Sequence, residues 1–110
     1  MLNELRDEIY SDAVAHGLWD ETEALRVWTY CGKRTKYAID RVRREDCAMR
    51  IRDEVEELYD EAHDEGYYVE ELADVIITAL SVAGYLGIDI DKAVRDKMEI
   101  NRGREWRHGE

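Results

Sequence analysis

The sequence predicts an all-α protein: an antiparallel bundle of four to five helices, in one domain over residues 1–110, completed by oligomerisation. Three observations indicate this fold class. The chain has no proline and only 7 glycines, whereas turn-rich β-proteins use both residues at many positions. Apolar residues recur at the helical period in several segments. With 110 residues, 45% of them hydrophobic, the chain can form a core without metal or disulfide staples.

The first helix is predicted from about Leu2 to His16, because apolar side chains recur there at helical spacing. Gly17 follows as a plausible C′ residue. The acidic stretch Asp20–Glu23 is a variant of the capping box and is expected to open a second helix. The basic stretch after it is only weakly periodic, and Gly32 is a candidate interruption there.

A sharper apolar stripe begins at Cys47 and predicts the third helix. Its members are Cys47, Ala48, Ile51, Val55, Leu58 and Ala62. Gly66 is expected to end this helix. The next helix is predicted from about Val69 to Leu86, with Gly87 as its stop. Because apolar residues cover more than half of its circumference, it should be the central and most buried helix.

The last helix is predicted to reach about Asn101, with Asp89 or Asp91 as its N-cap. The basic tail after it is expected to be irregular. No internal repeat or low-complexity linker divides the chain, so a single domain is the simplest organisation.

The charge and cysteine content limit the possible environments and partners. Cys31 and Cys47 lack a metal-type spacing, so free thiols in a reducing cytoplasm are expected. Charged residues at the N-terminus exclude the apolar core of a signal peptide. We therefore expect a cytoplasmic protein without a membrane span. A net charge of −11 disfavours nonspecific nucleic-acid binding, but it permits phosphorylated ligands when a divalent cation lies between the acids and the phosphates.

A nucleic-acid-binding helical module is an alternative that rests on the basic stretch after Gly32. Its cations are Lys33, Arg34, Lys36, Arg41, Arg43 and Arg44. The competing interpretation is a solvated helix face that pairs with neighbouring acids, and the negative net charge favours that interpretation.

Two pairs of carboxylates are spaced to converge. Glu54 and Glu57 lie three residues apart on the third helix, as do Glu71 and Asp74 on the fourth, so each pair shares a helix face. Glu61 continues the edge of the first pair. If the two helices pack antiparallel, the four carboxylates meet, and their repulsion favours a bound cation. Oxygen ligands suit Mg²⁺ or Mn²⁺.

The position of Asp74 in the sequence has two possible interpretations. It is the one charged residue between Leu72 and Leu86. A metal-bound carboxylate and a buried salt bridge to an arginine explain it equally well.

With these motifs in place, the sequence resembles the MazG-like nucleotide pyrophosphohydrolases, the all-α NTP pyrophosphatase superfamily. The family pattern E-E-x-x-E corresponds to "DEVEE" at Asp53–Glu57, with Asp53 in place of the leading glutamate. The pattern E-x-x-D corresponds to "ELAD" at Glu71–Asp74. The pattern K-x-x-x-N-x-x-R corresponds to "KMEINRGR" at Lys97–Arg104, and "AVAHGLWDE" near the N-terminus is also similar to family members.

The resemblance implies Mg²⁺-dependent hydrolysis of a nucleoside or deoxynucleoside triphosphate between the α and β phosphates, with Mn²⁺ as a possible substitute. It implies that Glu54, Glu57, Glu71 and Asp74 are the metal ligands and the catalytic carboxylates. Glu54 or Glu57 would accept the proton of the attacking water. Asp53 and Glu61 would support the site, although the shorter Asp53 could lose a metal or water contact. A catalytically weak or inactive nucleotide-binding protein of the same fold is therefore the runner-up.

The same resemblance implies that Lys97, Asn101 and Arg104 bind the substrate: Lys97 and Arg104 would stabilise the charge on the leaving pyrophosphate, and Asn101 would hydrogen-bond the substrate or orient a carboxylate. From pattern alone, they are charges and a cap at the end of an amphipathic helix. His16 is expected at a helix C-terminus, with a base-pocket role as the alternative. Trp19 is a candidate for stacking on the base or a core residue, and the same choice applies to Trp28 and Tyr30.

The resemblance also implies a homodimer or homotetramer with active sites bordered by neighbouring subunits. Physical reasoning agrees, because a small helical protein with such an apolar central helix is expected to bury part of that helix against a partner. The expected partners are therefore a nucleoside triphosphate and further copies of the chain.

Overall fold

The computed structural model of the protein describes residues 1–31 and 36–104, and their regular secondary structure is entirely α-helical. The helices run, in chain order, α1 (Leu2–Ala15), α2 (Asp20–Cys31), α3 (Lys36–Asp60), α4 (Glu65–Leu86) and α5 (Ile90–Arg102). This confirms the predicted all-α bundle. Helix α4 packs against α1 and α3, α2 packs against α3, and α5 packs against α1.

The ends of α1, α4 and α5 follow their sequence signals. Gly17, just after α1, has a φ of 74°, and Gly87, the C-cap of α4, has a φ of 68°. Both angles lie in the left-handed region that glycine adopts without steric cost. The side chain of Asp89 caps α5 by accepting a hydrogen bond from the Lys92 amide. The predicted starts and stops at these positions are confirmed.

The third helix is longer than its apolar stripe predicted. It begins at Lys36 instead of Cys47 and so includes part of the weakly periodic basic stretch. Ion pairs at i,i+4 spacing, such as Lys36–Asp40 and Arg41–Glu45, support the helix there. In the first turns of α3, ion pairs between neighbouring turns therefore indicate the helix more clearly than an apolar period does. The proposed interruption at Gly32 lies outside the described residues.

The prediction that Gly66 ends the third helix is wrong. Helix α3 ends at Asp60, and Gly66 is the second residue of α4. The physical reason is the N-cap: Asp64 accepts a hydrogen bond of 3.1 Å from the Tyr67 amide. An aspartate cap stabilises a helix start by about as much as one internal glycine costs. Helix α4 therefore begins about one turn before the predicted Val69.

The core forms around the C-terminal half of α4. Its buried cluster consists of Ala13, Trp19, Cys47, Val82 and Tyr85, with Tyr10, Ile51 and Leu86 packed against it. Burial raises the pKa of the free thiol of Cys47 to about 11. This half of α4 is the central element that the sequence predicted.

The N-terminal half of α4 departs from that prediction, because much of its apolar surface is exposed. The exposed fraction is 60% for Val69 and 52% for Ile76. The Cα radius of gyration is 16.5 Å, against about 13 Å for a compact chain of this length. Among the described residues, burial in α4 is limited to the stretch from Leu80 to Tyr85, so much of the apolar surface of its first turns stays uncovered.

A ladder of stacked side chains joins α3, α4 and the residue that precedes α2. The rings of Trp19 and Tyr85 stack with centroids 4.2 Å apart and planes 2° apart. The guanidinium of Arg50 lies 4.6 Å from the Trp19 ring, and that of Arg43 lies 4.8 Å from the Tyr85 ring. Such contacts strengthen as water is excluded. The ladder therefore fixes the register of α3 against α4.

Polar atoms at the edges of this ladder are also paired. The Trp19 indole donates to Ser81 Oγ at 3.0 Å. The Tyr85 hydroxyl donates to Glu23 Oε1 at 2.6 Å and accepts from Arg43 Nε at 3.1 Å. Buried aromatic residues with a polar atom need such partners, because an unpaired buried donor is costly.

The N-termini of α1 and α5 cap each other. The Asp91 carboxylate accepts from the Leu2 amide at 2.7 Å and the Asn3 amide at 3.1 Å. In return, Asn3 Oδ1 accepts from the Ile90 amide at 2.9 Å. The backbone hydrogen bonds from Asn3 and Leu2 lower the pKa of Asp91. This reciprocal cap places α5 against α1.

No individual helix among the described residues combines the length and apolar character of a membrane span. Helices α4 and α5 meet the length and composition criteria only together, as a pair bent by 115°.

Close packing at Gly84 generates a stability prediction. A Cβ atom at Gly84 would lie 2.5 Å from Tyr10 Cβ. We expect Gly84→Ala to destabilise the protein by about 1–3 kcal/mol, because α1 and α4 must move apart. The matched control is Gly66→Ala, where the nearest atom is 3.4 Å away; it should stabilise by about 0.5–1 kcal/mol. Urea unfolding measures both. Equal effects of the two substitutions would contradict the close approach of α1 to α4.

The buried hydroxyl of Tyr85 predicts that the stability of the folded protein depends on pH. Burial, followed by the hydrogen bond to Glu23, raises the pKa of Tyr85 to about 12, while an unfolded tyrosine ionises near pH 10. A raised pKa in the folded state gives stability that is complete below about pH 10 and is lost towards pH 12. The excess stability of wild type over Tyr85→Phe should therefore shrink across that interval.

Thermal unfolding between pH 8 and pH 12, a range that spans the ordinary tyrosine pKa, provides the measurement. Tyr59→Phe is the control, since Tyr59 is 81% exposed. A difference between wild type and Tyr85→Phe that stays constant across the range would show that the hydroxyl is not protected from ionisation.

Candidate functional site: a carboxylate cluster beside a cavity

Helices α3 and α4 bring three of the four predicted carboxylates together. Glu54, Glu71 and Asp74 each place one carboxylate oxygen within 4.8 Å of the others. The helices run antiparallel: Arg43, early in α3, contacts Tyr85 near the end of α4, while Glu54 lies beside the first turns of α4. The short connection between α3 and α4 produces this convergence. The convergence predicted for four carboxylates is thus found for Glu54, Glu71 and Asp74, while Glu57 lies outside the group.

The cluster, defined as Glu54, Glu71 and Asp74, is electrostatically crowded. Partial burial, followed by the charges of Glu57 and Asp74, raises the pKa of Glu54. Burial and the same two charges, with a further contribution from Glu61, raise the pKa of Glu71. Both groups therefore resist ionisation more than they would in an unfolded chain. A bound cation would remove this penalty.

One oxygen of Glu71 has no protein partner in the described chain. Glu71 Oε2 is buried, and no described group donates a hydrogen bond to it. Buried carboxylate oxygens normally accept at least one hydrogen bond. An unpartnered oxygen inside an acidic cluster is therefore an observation that favours a metal ligand over a purely structural acid.

The alternative for Asp74, a buried salt bridge, has no support in the described structure. Asp74 is exposed, and none of the ion pairs between described residues includes it. The nearby cation of α3, Arg52, lies 4.0 Å from Glu56 instead. The expectation that Asp74 lies in a buried segment is wrong, since burial in α4 begins further along at Leu80.

The remaining predicted acids border the cluster without joining it. Glu57 is exposed and lies outside the three-residue group, although its charge acts on both Glu54 and Glu71. Glu61 is half-buried, and its charge acts on Glu71. Asp53 is exposed and lines the neighbouring cavity. The substitution of the family's leading glutamate by Asp53 thus falls beside the cavity and outside the cluster.

A cavity of about 490 Å³ adjoins the cluster, and Glu54 belongs to both. A volume of this size is typical of small-molecule sites. Helices α1, α3 and α4 and the connection between α1 and α2 form its walls. The lining residues are Ile9, Asp12, Ala13, His16, Leu18, Trp19, Arg50, Asp53, Glu54, Ile77, Thr78 and Ser81.

Two predicted base-binding residues, Trp19 and His16, do line the cavity. Trp19 is only 4% exposed, because Tyr85 covers one face of its ring and Arg50 covers the other. This geometry favours the core interpretation over stacking on a base. His16 is the C-cap of α1, as expected, and its Nδ1 lies 2.7 Å from the Asp12 carbonyl oxygen. The side chains of Trp28 and Tyr30 lie outside the described part.

Sequence analysis missed Arg50, Asp12, Thr78 and Ser81 as cavity residues. Arg50 lies one helical turn before Glu54, and Thr78 lies one turn after Asp74. Both therefore share a helix face with the cluster. The spacing of four residues from Glu54 and from Asp74 was the sequence signal that could have identified Arg50 and Thr78. For Arg50, the many other charges of α3 obscured it.

The C-terminal set is not part of this cavity. Lys97, Asn101 and Arg104 lie on or just after α5, and none of the three lines the cavity. Arg104 Nη1 donates to Asn101 Oδ1 at 3.2 Å, a local contact at the end of a helix. Within one chain, α5 packs on α1 and away from the cavity. These three residues therefore match the interpretation as charges and a cap at the end of an amphipathic helix.

The basic stretch does not form a free cationic surface in its described part. Lys36 pairs with Asp40 at 2.7 Å, and Arg41 pairs with Glu45 at 2.8 Å. Arg43 contacts Asp40 and the Tyr85 hydroxyl. These contacts favour the solvated, acid-paired face over a nucleic-acid-binding module. Lys33 and Arg34 lie outside the described residues.

Comparison with known proteins gives one informative relative. The chain is 44% identical over 59 residues to a dATP/dGTP diphosphohydrolase of Cyanophage S-2L. The match covers 52% of this chain and 52% of the relative, so the chain spans about half the length of the curated relative that it matches. No family model matches the sequence, and no solved structure matches it. The similarity agrees, over half of the chain, with the resemblance drawn from the motifs.

Proposed function

We propose that this protein is an Mg²⁺-dependent nucleoside triphosphate pyrophosphohydrolase that cleaves between the α and β phosphates. One observation carries the proposal: Glu54, Glu71 and Asp74 converge within 4.8 Å, and Glu54 also lines a cavity of about 490 Å³. A nucleotide needs both parts, a cation site for its phosphates and a sheltered volume for its sugar and base.

The residues present fit a hard divalent cation. Glu54, Glu71 and Asp74 would hold it, since oxygen-only ligands favour Mg²⁺ and accept Mn²⁺. The unpartnered Glu71 Oε2 supports this assignment. When bound, the cation supplies Lewis-acid polarisation of a phosphate oxygen and offsets the charge that grows on the leaving pyrophosphate.

The chain's own groups would perform the proton transfer and the positioning. Glu57 lies at the edge of the cluster and is exposed, so it is suited to accept the proton of an attacking water; Glu54 is the alternative. The cavity walls would hold the base and sugar away from water. Contact of Lys97, Asn101 and Arg104 with the phosphates stays a prediction, which requires α5 of a neighbouring subunit or a movement of α5.

The substrate class follows from the relative of Cyanophage S-2L, whose name specifies dATP and dGTP. We propose purine deoxynucleoside triphosphates as the first substrates to test. The runner-up, nucleotide binding without turnover, was motivated by Asp53. Because Asp53 faces the cavity and lies outside the cluster, the loss of one methylene there leaves the three converging carboxylates intact.

We also propose that the functional unit is a homodimer or homotetramer. The first half of α4 exposes Tyr67, Val69, Leu72, Ile76 and Ile77. Val69, Leu72 and Ile76 share one face of α4 by helical spacing, and an exposed apolar face of this kind marks an interaction site. Ile77 also lines the cavity, so a second subunit seated on this face would lie at the cavity rim.

The activity prediction concerns Asp74. We expect Asp74→Asn to lower kcat/KM for dATP or dGTP on the order of 100-fold. The variant loses a carboxylate charge that would hold the cation, and the cation would stabilise the charge of the transition state. Pyrophosphate release with Mg²⁺ is the measurement. Glu56→Gln is the matched control: Glu56 lies on α3, is exposed and faces Arg52, so its activity should equal that of wild type.

Three outcomes decide the proposal. Loss of activity in Asp74→Asn with retention in Glu56→Gln supports it. Nucleotide binding by calorimetry without product from wild type favours the runner-up. Absence of both binding and hydrolysis, with any purine nucleotide, overturns the assignment.

The assembly prediction concerns the exposed face of α4. We expect the double variant Leu72→Lys/Ile76→Lys to convert the oligomer to a monomer, because two charges cannot be buried there without partners. Light scattering coupled to size-exclusion chromatography measures the mass. Val14→Lys, at an exposed apolar position near the end of α1, is the control. A monomeric wild type would contradict the proposed oligomer.

A further inference from the structure

The cavity holds a positioned cation that the proposed reaction does not use. Arg50 lines the cavity one helical turn from Glu54. Its Nε donates to Asp46 Oδ2 at 3.2 Å, and its Nη2 donates to Thr22 Oγ1 at 2.9 Å. Thr22, which is 1% exposed, donates in turn to Asp46. One edge of the guanidinium is therefore fixed by a hydrogen-bonded triangle.

The face of Arg50 is fixed as well. Its guanidinium lies 4.6 Å from the centre of the Trp19 ring, which in turn stacks on Tyr85. Among the described residues, none accepts a hydrogen bond from Nη1. The end edge of the guanidinium, formed by Nη1 and the second hydrogen of Nη2, is thus the unused donor pair. The salt bridge to Asp46 uses only the other edge of the guanidinium, so this donor pair is available to a group bound in the cavity.

The charge of the cavity indicates what this donor pair meets. Three carboxylates, Asp12, Asp53 and Glu54, line the same cavity as Arg50. A phosphate chain would be repelled by these acids wherever no cation lies between them, and the cluster that can bind a cation lies at the Glu54 end. The apolar walls, among them Ile9, Leu18 and Ile77, suit a flat and uncharged group. The part of a nucleotide that fits here is the base.

We propose that Arg50 is a specificity-determining residue that binds the N7 and O6 atoms of a 6-oxopurine, so that the cavity prefers guanine over adenine. This inference rests on the proposed function, because it assumes that the phosphates lie at the cluster. A guanidinium edge presents two parallel donors, and guanine presents two adjacent acceptors at N7 and O6. Adenine replaces the second acceptor with an amino donor.

The neighbouring acids complement this assignment. The N1 hydrogen and the 2-amino group of guanine are donors, and Asp12 and Asp53 supply carboxylate acceptors in the same cavity. A base with both an acceptor edge and a donor edge matches a wall that carries one fixed cation and two acids. Adenine would leave one donor of Arg50 unpaired, and an unpaired buried donor reduces affinity.

The test compares binding of two nucleotides that share N7 and the 2-amino group but differ at position 6, the atom that distinguishes guanine from adenine on this edge. The probes are 2′-deoxyguanosine α,β-imidotriphosphate and its 2,6-diaminopurine counterpart, in which an amino group replaces O6; the bridging nitrogen blocks cleavage of both. With Mg²⁺ present, calorimetry should show that wild type binds the 2,6-diaminopurine probe more weakly by about tenfold or more. This comparison needs no variant, so it does not depend on whether a substituted protein folds.

Two variants then assign the discrimination to Arg50. Arg50→Lys keeps the charge but loses the paired donors, so its affinities for the two probes should become equal within about twofold. Arg52→Lys is the matched control, since Arg52 lies on the same helix, outside the cavity lining, with a side chain that is 63% exposed. It should retain the wild-type ratio. Circular dichroism confirms that both variants are folded.

The outcomes separate this inference from the proposed function. Equal binding of both probes by wild type overturns the role of Arg50, as does an equal loss for both probes in Arg50→Lys. Discrimination by wild type that Arg50→Lys abolishes supports it, whether or not dGTP is hydrolysed. Hydrolysis of dGTP without discrimination leaves the proposed function standing and overturns the inference. Absence of binding of either probe overturns both.

Discussion

The structure depends on the stacking of Trp19 on Tyr85, with a guanidinium at each end of the pair. The two rings lie 4.2 Å apart and nearly parallel, and they join the residue that precedes α2 to the C-terminal half of α4. Arg43 and Arg50, both on α3, extend the stack. Because α3, α4 and the connection between α1 and α2 all contribute to one ladder, it fixes both the spacing and the register of α3 against α4. The carboxylate cluster and the cavity wall follow from that register.

The two ends of the α3–α4 pair have opposite energetic characters. At the ladder, apolar burial and paired polar atoms stabilise the fold. At the cluster, Glu54 and Glu71 have raised pKa values, because burial and neighbouring acids disfavour their charges. A carboxyl that holds its proton more tightly in the folded state reduces stability at neutral pH. The buried and paired contacts of the ladder offset this cost to the stability of the fold.

The incomplete burial of α4 has the same origin as the accessibility of the site. Burial in α4 is concentrated between Leu80 and Tyr85, while Val69 and Ile76 are exposed. The cluster lies in the exposed part, where Asp74 is open to solvent. A fully covered α4 would enclose the carboxylates and exclude a phosphate ligand. Val69 and Ile76 are two residues from Glu71 and Asp74 and therefore face away from the cluster, so an assembly that covers these apolar residues would leave the carboxylates open.

The helical class could be predicted from the sequence alone, as could the helix ends at Gly17 and Gly87 and the approach of Glu54 to Glu71 and Asp74. These features are local: a left-handed glycine ends a helix, and an i,i+3 spacing places Glu71 and Asp74 on one face in any helix. Local rules also misled where two signals competed, since the Asp64 cap outweighed the glycine at position 66. The start of α3 was missed because its first turns combine ion pairs with the buried Ile39 and show no regular apolar stripe.

Tertiary structure decided what depends on distance between helices. Sequence cannot show that Trp19 is covered on both faces, that Glu57 lies beside the cluster and not within it, or that α5 rests on α1, away from the cavity. Arg50 is the clearest case: in the sequence it is one of many cations, and only the packing of α2 against α3 gives it fixed partners in Thr22 and Trp19. Periodicity fixes which side of a helix a residue occupies, whereas function depends on what faces that side.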